Sequence, residues 1–374
     1  AYLNARLPVR AVLLYREWLP RAEASLPSDD PYLLSMQANL AGAYTAAGHP
    51  EMAVGPAKRA ADALEASLGP DDQRSIGTRN IEAIALFQSG QIAQSITTTE
   101  AVFKRAQGTF GAGHPFTGTI RGNLGNIYRT VGRFEQAETL LRAVLEEQDV
   151  AIVGINPPGY FETLSDIAAL EFAMGRYDDA LRDVDAAESG LREYVGPRDN
   201  LVLETKNIRA NVFMAQERFA EAEPILLEVL GVREETLGAQ NPETVTARSN
   251  LASLYRSQKR FTEADALYRQ AMFDASETLG PDHPSILAAM NGLALVAEEL
   301  DGEAAAVRLL EPLVERLGKS LGADHPQTIA AANNLAAAVA GSGDTARAAM
   351  LLEELVERNL ASKGPDDIAT LELR

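Results

Sequence analysis

The chain has 374 residues and no cysteine, and 34 Lys and Arg against 53 Asp and Glu give it a net charge of −19. This charge repels phosphate backbones and anionic membrane surfaces, and the absence of cysteine excludes disulfides, thiolate metal sites and cysteine nucleophiles. Because the longest uncharged run, 31–50, is too polar to cross a bilayer, we expect a soluble, cytoplasmic protein with no membrane or nucleic-acid partner.

A short glycine-centred phrase recurs along the whole chain, for example as LGPDDQ (68–73) and LGPDHP (279–284). The repeated glycines stand at 69, 111, 154, 196, 238, 280, 322 and 364, in steps of 42 residues with a single step of 43. A related phrase with proline in place of glycine, LPSDDP, lies at 26–31. Such a fixed period is typical of a repeat architecture.

Each phrase has the residues of a corner between two helices. The glycine predicts a helix end in the left-handed conformation, and an Asp or Asn three residues later predicts an N-cap. A second turn is predicted midway between corners, at positions 48, 90, 132, 175, 217, 259, 301 and 343. Apolar residues at spacings of three and four lie between these points, so each unit is predicted to be helix, turn, helix.

In chain order, residues 1–26 are predicted to be the second helix of a truncated preceding repeat, because 11–31 align without gaps on 264–284. Residues 27–365 then form eight repeats, and 366–374 begin a further first helix. We expect one elongated domain that is a segment of a longer protein. The insertion before VGINPPGY (153–160) predicts an irregular corner in the fourth repeat.

The apolar and small residues inside each unit resemble a known repeat family. Leu124-Gly125-x-x-Tyr128 followed by Ala137, and Leu251-Ala252-x-x-Tyr255 followed by Ala264, resemble the tetratricopeptide pattern. The 42-residue period and NLASLY (250–255) resemble the kinesin-light-chain type, which is common in bacterial signalling proteins. The resemblance implies an all-α, right-handed α-solenoid that binds a peptide or protein in a concave groove lined by the first helices.

The resemblance also places asparagines at groove-facing positions in seven of the eight repeats, with Ser165 and Asp166 in the fourth. Each amide offers a donor and an acceptor to the backbone of an extended peptide. Alternatively, each amide bridges adjacent first helices or satisfies a backbone group. Arg129 and Arg256, one turn further on, could supply charge for an acidic segment. The predicted peptide-binding asparagines are Asn39, Asn80, Asn123, Asn126, Asn207, Asn211, Asn250, Asn291, Asn333 and Asn334.

No catalytic, cofactor or metal site is predicted. His114, His283 and His325 replace the corner Asp or Asn, so we assign them, and His49 in its inter-helix turn, to helix starts. Gly318-Lys319-Ser320 lacks the earlier glycine and the strand of a phosphate loop. Near-identical helical hairpins supply no unique pocket for catalysis, so this segment is predicted not to be an enzyme and to need no cofactor.

Three functions remain open at this point. The first is an interaction scaffold or sensor whose partner is a peptide or protein segment, neutral or basic because the chain is acidic. The second is a regulatory arm of a larger signalling enzyme, with a protease-like, kinase or nucleotide-switch domain outside these residues. The third is a module for homo-oligomerisation, which would make the chain a homodimer.

Overall fold

The computed structural model describes residues 8–47, 49–150, 158–323 and 325–363. Across these residues it contains α-helices and no strand, which confirms the predicted all-α class. No helix in these ranges has the length and apolar character needed to span a bilayer. The helices are α1 (Pro8–Glu23), α2 (Pro31–Ala46), α3 (Pro50–Leu68), α4 (Gln73–Gln88), α5 (Ile92–Phe110), α6 (Pro115–Thr130), α7 (Phe134–Val150), α8 (Pro158–Ala173), α9 (Tyr177–Tyr194), α10 (Asn200–Ala215), α11 (Phe219–Leu237), α12 (Pro242–Ser257), α13 (Phe261–Leu279), α14 (Pro284–Asp301), α15 (Glu303–Ser320), α16 (Pro326–Gly341) and α17 (Thr345–Lys363).

The helices belong to two compact units. One comprises residues 1–127 with 319–325, and the other comprises residues 128–318 with 326–374. In the first unit α2 packs on α3, α4 packs on α5, and the first helices α2 and α4 also touch. In the second unit α8 packs on α9, α10 on α11 and α12 on α13, with contacts between α8 and α10 and between α12 and α14. The predicted pattern of helix, turn, helix is therefore present in both units.

The corner residues cap the first helices as predicted. The side chains of Asp30, Asp72, Asp199 and Asn241 accept hydrogen bonds from backbone N–H groups of the helix that follows, over 2.8–3.2 Å. His114 and His283 do the same through Nδ1, which accepts from the N–H groups of Phe116 and Ser285 at 3.2 Å. The corner of the fourth repeat, at 151–157, lies outside the described residues.

Substituting Asn241 tests the contribution of such a cap. Asn241 Oδ1 accepts from Glu243 N–H at 2.9 Å, so N241A should destabilise the first turn of α12 by about 1 kcal/mol. Amide hydrogen exchange at residues 243–245 measures this loss. N241D keeps an acceptor at the same place and should leave exchange unchanged; equal exchange in N241A and the wild type would contradict the assigned role.

The corner glycines differ from the prediction in one torsion angle. Gly69, Gly111, Gly238 and Gly280 have φ of 79–90°, as predicted, but ψ of 155–161°. The predicted left-handed helical conformation is therefore wrong, because that conformation has ψ near +47°. The observed region is essentially restricted to glycine. The chain thus leaves each second helix in an extended direction rather than curling over its last turn.

The midway turns follow the predicted positions with one exception. Gly90, Gly132, Gly175 and Gly343 have positive φ, and so do Glu217 and Lys259, at 57° and 60°. Asp301 is instead the last residue of α14, and Gly302 takes the turn with φ of 84°. The prediction was wrong by one residue there, because glycine adopts positive φ at lower cost than aspartate. Position 48 lies outside the described residues.

One position in each second helix holds a small buried residue. Ala137, Ala180, Ala222 and Ala264 are among these fully buried alanines. Ser95 takes the same position in α5, is equally buried, and donates from Oγ to the carbonyl of Ala83 in α4 at 2.8 Å. A small side chain at this position lets the two helices of a repeat approach closely.

An arginine at the inter-helix turn stacks on an aromatic residue of its own first helix. Cζ of Arg260 lies 3.7 Å from the centroid of the Tyr255 ring, and Cζ of Arg218 lies 4.3 Å from the centroid of the Phe213 ring. Glu171 replaces the aromatic residue at this position of α8, and the arginine, Arg176, lies 3.9 Å from its carboxylate. A fully buried carboxylate therefore lies where the following two repeats have a half-buried ring.

Candidate functional site

The predicted asparagines lie on first helices, and all are half-buried except Asn39, which is exposed. Asn123 Nδ2 donates to Asn80 Oδ1 at 3.4 Å in the first unit, and Asn334 Nδ2 donates to Asn291 Oδ1 at 3.0 Å in the second. Each pair joins the first helices of adjacent repeats and is separated by 43 residues. These four amides thus form bridges between helices, one of the two roles that the sequence left open.

A third asparagine pair has the same separation but is not joined. Asn207 on α10 and Asn250 on α12 make no side-chain hydrogen bond, to each other or to any other described residue. Asn207 Oδ1 is buried, and no donor for it lies within the described part of the chain. The amide groups of Asn207 and Asn250 therefore remain available for other hydrogen bonds.

This open pair lines a cavity of about 610 Å³ on the first helices of the second unit. Of the predicted residues, Asn211 and Arg129 also line it. Ser165 and Asp166, which replace asparagine in the fourth repeat, line it as well. The cavity thus brings together first-helix side chains from α6, α8, α10 and α12 within one compact unit.

Charges of both signs surround the cavity. Burial lowers the pKa of Arg129, while the nearby carboxylate of Asp166 opposes this shift. Burial also lowers the pKa of Arg233, which Glu243 and Glu204 oppose. Arg233 is only 3% exposed and donates to the carbonyl of Glu243 at 3.1 Å.

Arg233 was not among the predicted site residues. It occupies the position in α11 that Leu191 and Ala275 fill in neighbouring repeats. A charge at an otherwise apolar repeat position is a sequence signal that could have identified it. Arg233 lies on a second helix, whereas the family pattern places groove-facing residues on first helices, so the prediction did not include it.

Asn250 also lines a second pocket, of about 280 Å³, with Asn291 and Arg256. The phenol of Tyr268 reaches this pocket from α13, and its oxygen lies 2.7 Å from Ser253 Oγ. The two pockets share Thr246, Asn250 and Ser285. The lining of neither pocket includes Asn39, Asn80, Asn123, Asn126, Asn333 or Asn334.

The histidines show no common site. His49 precedes α3, but its side chain does not cap that helix, and burial lowers the pKa of His325 to about 4. Among the residues that the structure describes, no three His, Asp or Glu side chains are grouped to hold a metal ion.

Family models of the tetratricopeptide repeat match residues 77–146, 201–272 and 286–327, just under half of the chain. The class defined by these matches and by the paired helices is that of helical-repeat proteins. More particularly, these three ranges are tetratricopeptide repeats. A search of curated protein sequences gives no match.

Three solved structures are similar to this chain, and the two with TM-scores above 0.5 have its fold. A kinesin light chain of Podosopora anserina with nearly identical repeats is 24% identical over 55% of this chain and 97% of its own, with a TM-score of 0.44. The Rap protein complexed with competence and sporulation factor is 12% identical over 91% of this chain and 95% of its own, with a TM-score of 0.56. The apo quorum sensor NprR of B. thuringiensis is 14% identical over 95% and 96%, with a TM-score of 0.57.

Proposed function

We propose that this protein is an interaction module that holds an extended peptide or protein segment across α10 and α12, between Asn207 and Asn250. The observation that carries the proposal is the open amide pair. Two asparagine pairs of the same spacing use their amides on each other, whereas this pair leaves its amides unused and lines the 610 Å³ cavity.

An asparagine amide suits a peptide backbone because it donates through Nδ2 and accepts through Oδ1. One peptide unit of an extended segment could therefore replace the partner that each amide has in the closed pairs. Such contacts read the backbone rather than its side chains, so sequence preference would come from the charged groups around the cavity. Asp166, Glu204 and Glu243 outnumber Arg129 and Arg233, which favours a segment that is neutral or basic at this point.

The structural neighbours support a peptide ligand. The Rap structure contains competence and sporulation factor, and NprR is a quorum sensor. Their likeness to this chain concerns the fold alone. The role proposed here for the asparagines rests on their geometry in this chain.

Peptide selection followed by substitution tests the proposal. The 374-residue chain is used to select linear peptides from a random display library, and the affinity of a synthetic selected peptide is measured by calorimetry. The double variant N207A/N250A should weaken binding about tenfold or more, because each lost hydrogen bond is worth about 0.5–1.5 kcal/mol.

The control is N80A/N123A, which removes a closed pair of the same spacing. It should leave peptide affinity unchanged. A peptide that binds both double variants and the wild type equally, or a library that yields no binder, would contradict the proposal.

A further inference from the structure

The second pocket, between α12 and α14, contains groups that can donate hydrogen bonds but no acid. Hydroxyl, amide and guanidinium groups form its polar lining, and among the described residues no Asp or Glu lines it. These groups belong to Thr246, Ser249, Asn250, Ser253, Arg256, Tyr268, Ser285 and Asn291. A pocket of this composition offers donors and one positive charge to whatever enters it.

Arg256 has no counter-ion in the described part of the chain. It forms no ion pair there, and its Nε is buried without an acceptor. It lies in the last turn of α12, where the helix dipole favours a cation, which explains how the charge is tolerated. The phenol of Tyr268 is its neighbour.

Arg129 shows what this position does in another repeat. Arg129 and Arg256 follow the tyrosines Tyr128 and Tyr255 at the same place in their repeats. Arg129 interacts with the carboxylate of Asp166 on the first helix of the next repeat. Gly292 is the residue of the repeat after Arg256 that corresponds to Asp166. Asp166 and Gly292 are 126 residues apart, which is three repeat lengths. The carboxylate that accompanies Arg129 is thus absent beside Arg256.

The absence of a carboxylate at position 292 is connected with the ring of Tyr268. Tyr268 occupies the position that Leu226 and Leu310 hold in neighbouring second helices. A Cβ at Gly292 would lie 2.3 Å from Cζ of Tyr268, so the ring leaves room only for glycine. Compared with the neighbouring second helices, Tyr268 adds a hydroxyl, and compared with the fourth repeat, Gly292 lacks the carboxylate of Asp166.

We infer that this pocket binds an oxyanion, the carboxylate or the phosphoryl group of a bound segment, through Arg256 and the hydrogen-bonded pair of Ser253 and Tyr268. One hydroxyl proton joins the two oxygens of this pair, and the other is donated to the anion. Charge-assisted hydrogen bonds from a guanidinium and neighbouring hydroxyls are the chemistry that recognises such groups. The source of the anion rests on the proposed function: Asn250 lines both pockets, so a segment held between Asn207 and Asn250 passes the entrance of the second pocket.

The overall charge of the chain makes the test specific. A net charge of −19 repels anions from the surface, so saturable binding of a small anion is not expected away from this pocket. The probes are inorganic phosphate and acetate, added separately to the full chain labelled with ¹⁵N-arginine. The Nε–H resonance of Arg256 is identified by its loss in R256K.

Three variants accompany the wild type. Y268L/G292D introduces the leucine of the neighbouring second helices and the aspartate of the fourth repeat, which provides an internal carboxylate, so it should weaken anion binding at least about tenfold. S253A removes a single hydroxyl and should weaken it roughly threefold to tenfold. R182Q, at an exposed position of α9 that lines neither pocket, should bind as the wild type does.

A saturable shift with phosphate alone assigns a phosphoryl ligand, a shift with acetate alone assigns a carboxylate, and a shift with both supports the shared oxyanion chemistry. The inference would be overturned if neither probe shifted the Arg256 resonance. It would also be overturned if Y268L/G292D and S253A both gave the same shifts as the wild type. N207A, which lies outside the second pocket, should keep the anion response, so a failure of the peptide proposal and a failure of this one give different results.

Discussion

Replacing Glu171 by glutamine should stabilise α8 above pH 7 and abolish a loss of stability that the wild type shows as the pH rises from about 4.5 to about 7. The Glu171 side chain is 1% exposed, and its Oε1 lies 3.2 Å from Nη2 of Arg142. Its Oε2 has no donor among the described residues. An ionised carboxylate is costly in such a place, because one oxygen has lost its water and gained no hydrogen bond.

The direction in which stability changes with pH follows from the direction of the pKa shift of Glu171. Burial raises the pKa of Glu171 to about 7, the negative charge of Asp183 adds to the shift, and Arg142 and Arg176 oppose it. Asp179 is a further, smaller contributor that raises the pKa. The folded state therefore holds this proton more tightly than the unfolded state, whose pKa is near 4.5. The stabilising contribution is complete below pH 4.5, and its loss by pH 8 amounts to roughly 3 kcal/mol.

Amide hydrogen exchange in α8 and α9 at pH 5 and pH 8 measures this effect, because repeat proteins open locally. E171Q and the wild type should differ little at pH 5, where the wild-type carboxyl is neutral, and E171Q should be more protected at pH 8. E171F restores the ring that Phe213 provides in the next repeat and should also lose the pH dependence. E162Q, at an exposed position of α8, is the matched control. Equal pH dependence in E171Q and the wild type would contradict the prediction.

The sequence predicts those features that depend on neighbours along the chain. The caps at Asp72 and Asn241 and the alanine at position 222 follow from local chemistry and from the period, and the structure confirms them. Glu171 could have been found in the same way, because it breaks the aromatic position that Phe213 and Tyr255 keep, yet its burial without a second hydrogen bond is visible only in three dimensions.

The candidate site depends more on packing. Asn207 and Asn250 have the same residue type and separation as the bonded pair Asn291 and Asn334, so no sequence pattern distinguishes the open pair from the closed one. Whether two such amides meet depends on small differences in how adjacent first helices pack. The link between Tyr268 and Gly292 likewise joins residues 24 positions apart through a steric contact that the repeat pattern does not contain.

The corner glycines should respond to substitution differently from a glycine inside a helix. G238A should destabilise the corner between α11 and α12 by about 1–3 kcal/mol, because φ of 85° with ψ of 161° is a region that alanine avoids. Gly231, in the interior of α11, has no described heavy atom within 4 Å of an added Cβ beyond its own helix, so G231A should instead stabilise α11 by about 0.5–1 kcal/mol. The two substitutions add the same methyl group and are seven residues apart, so their opposite signs isolate the backbone effect.

Asparagine at position 238 distinguishes the observed corner from a left-handed helical one. Asparagine adopts the left-handed helical conformation more readily than alanine does, so at a corner of that kind G238N would cost clearly less than G238A. With ψ of 161° this advantage disappears, and G238N should destabilise the corner about as much as G238A. Amide exchange in the last turn of α11 and the first turn of α12 measures both variants. A much milder effect of asparagine would mean that the corner turns back over α11, and α12 would then begin in a different direction, which would reposition Asn250 relative to Asn207.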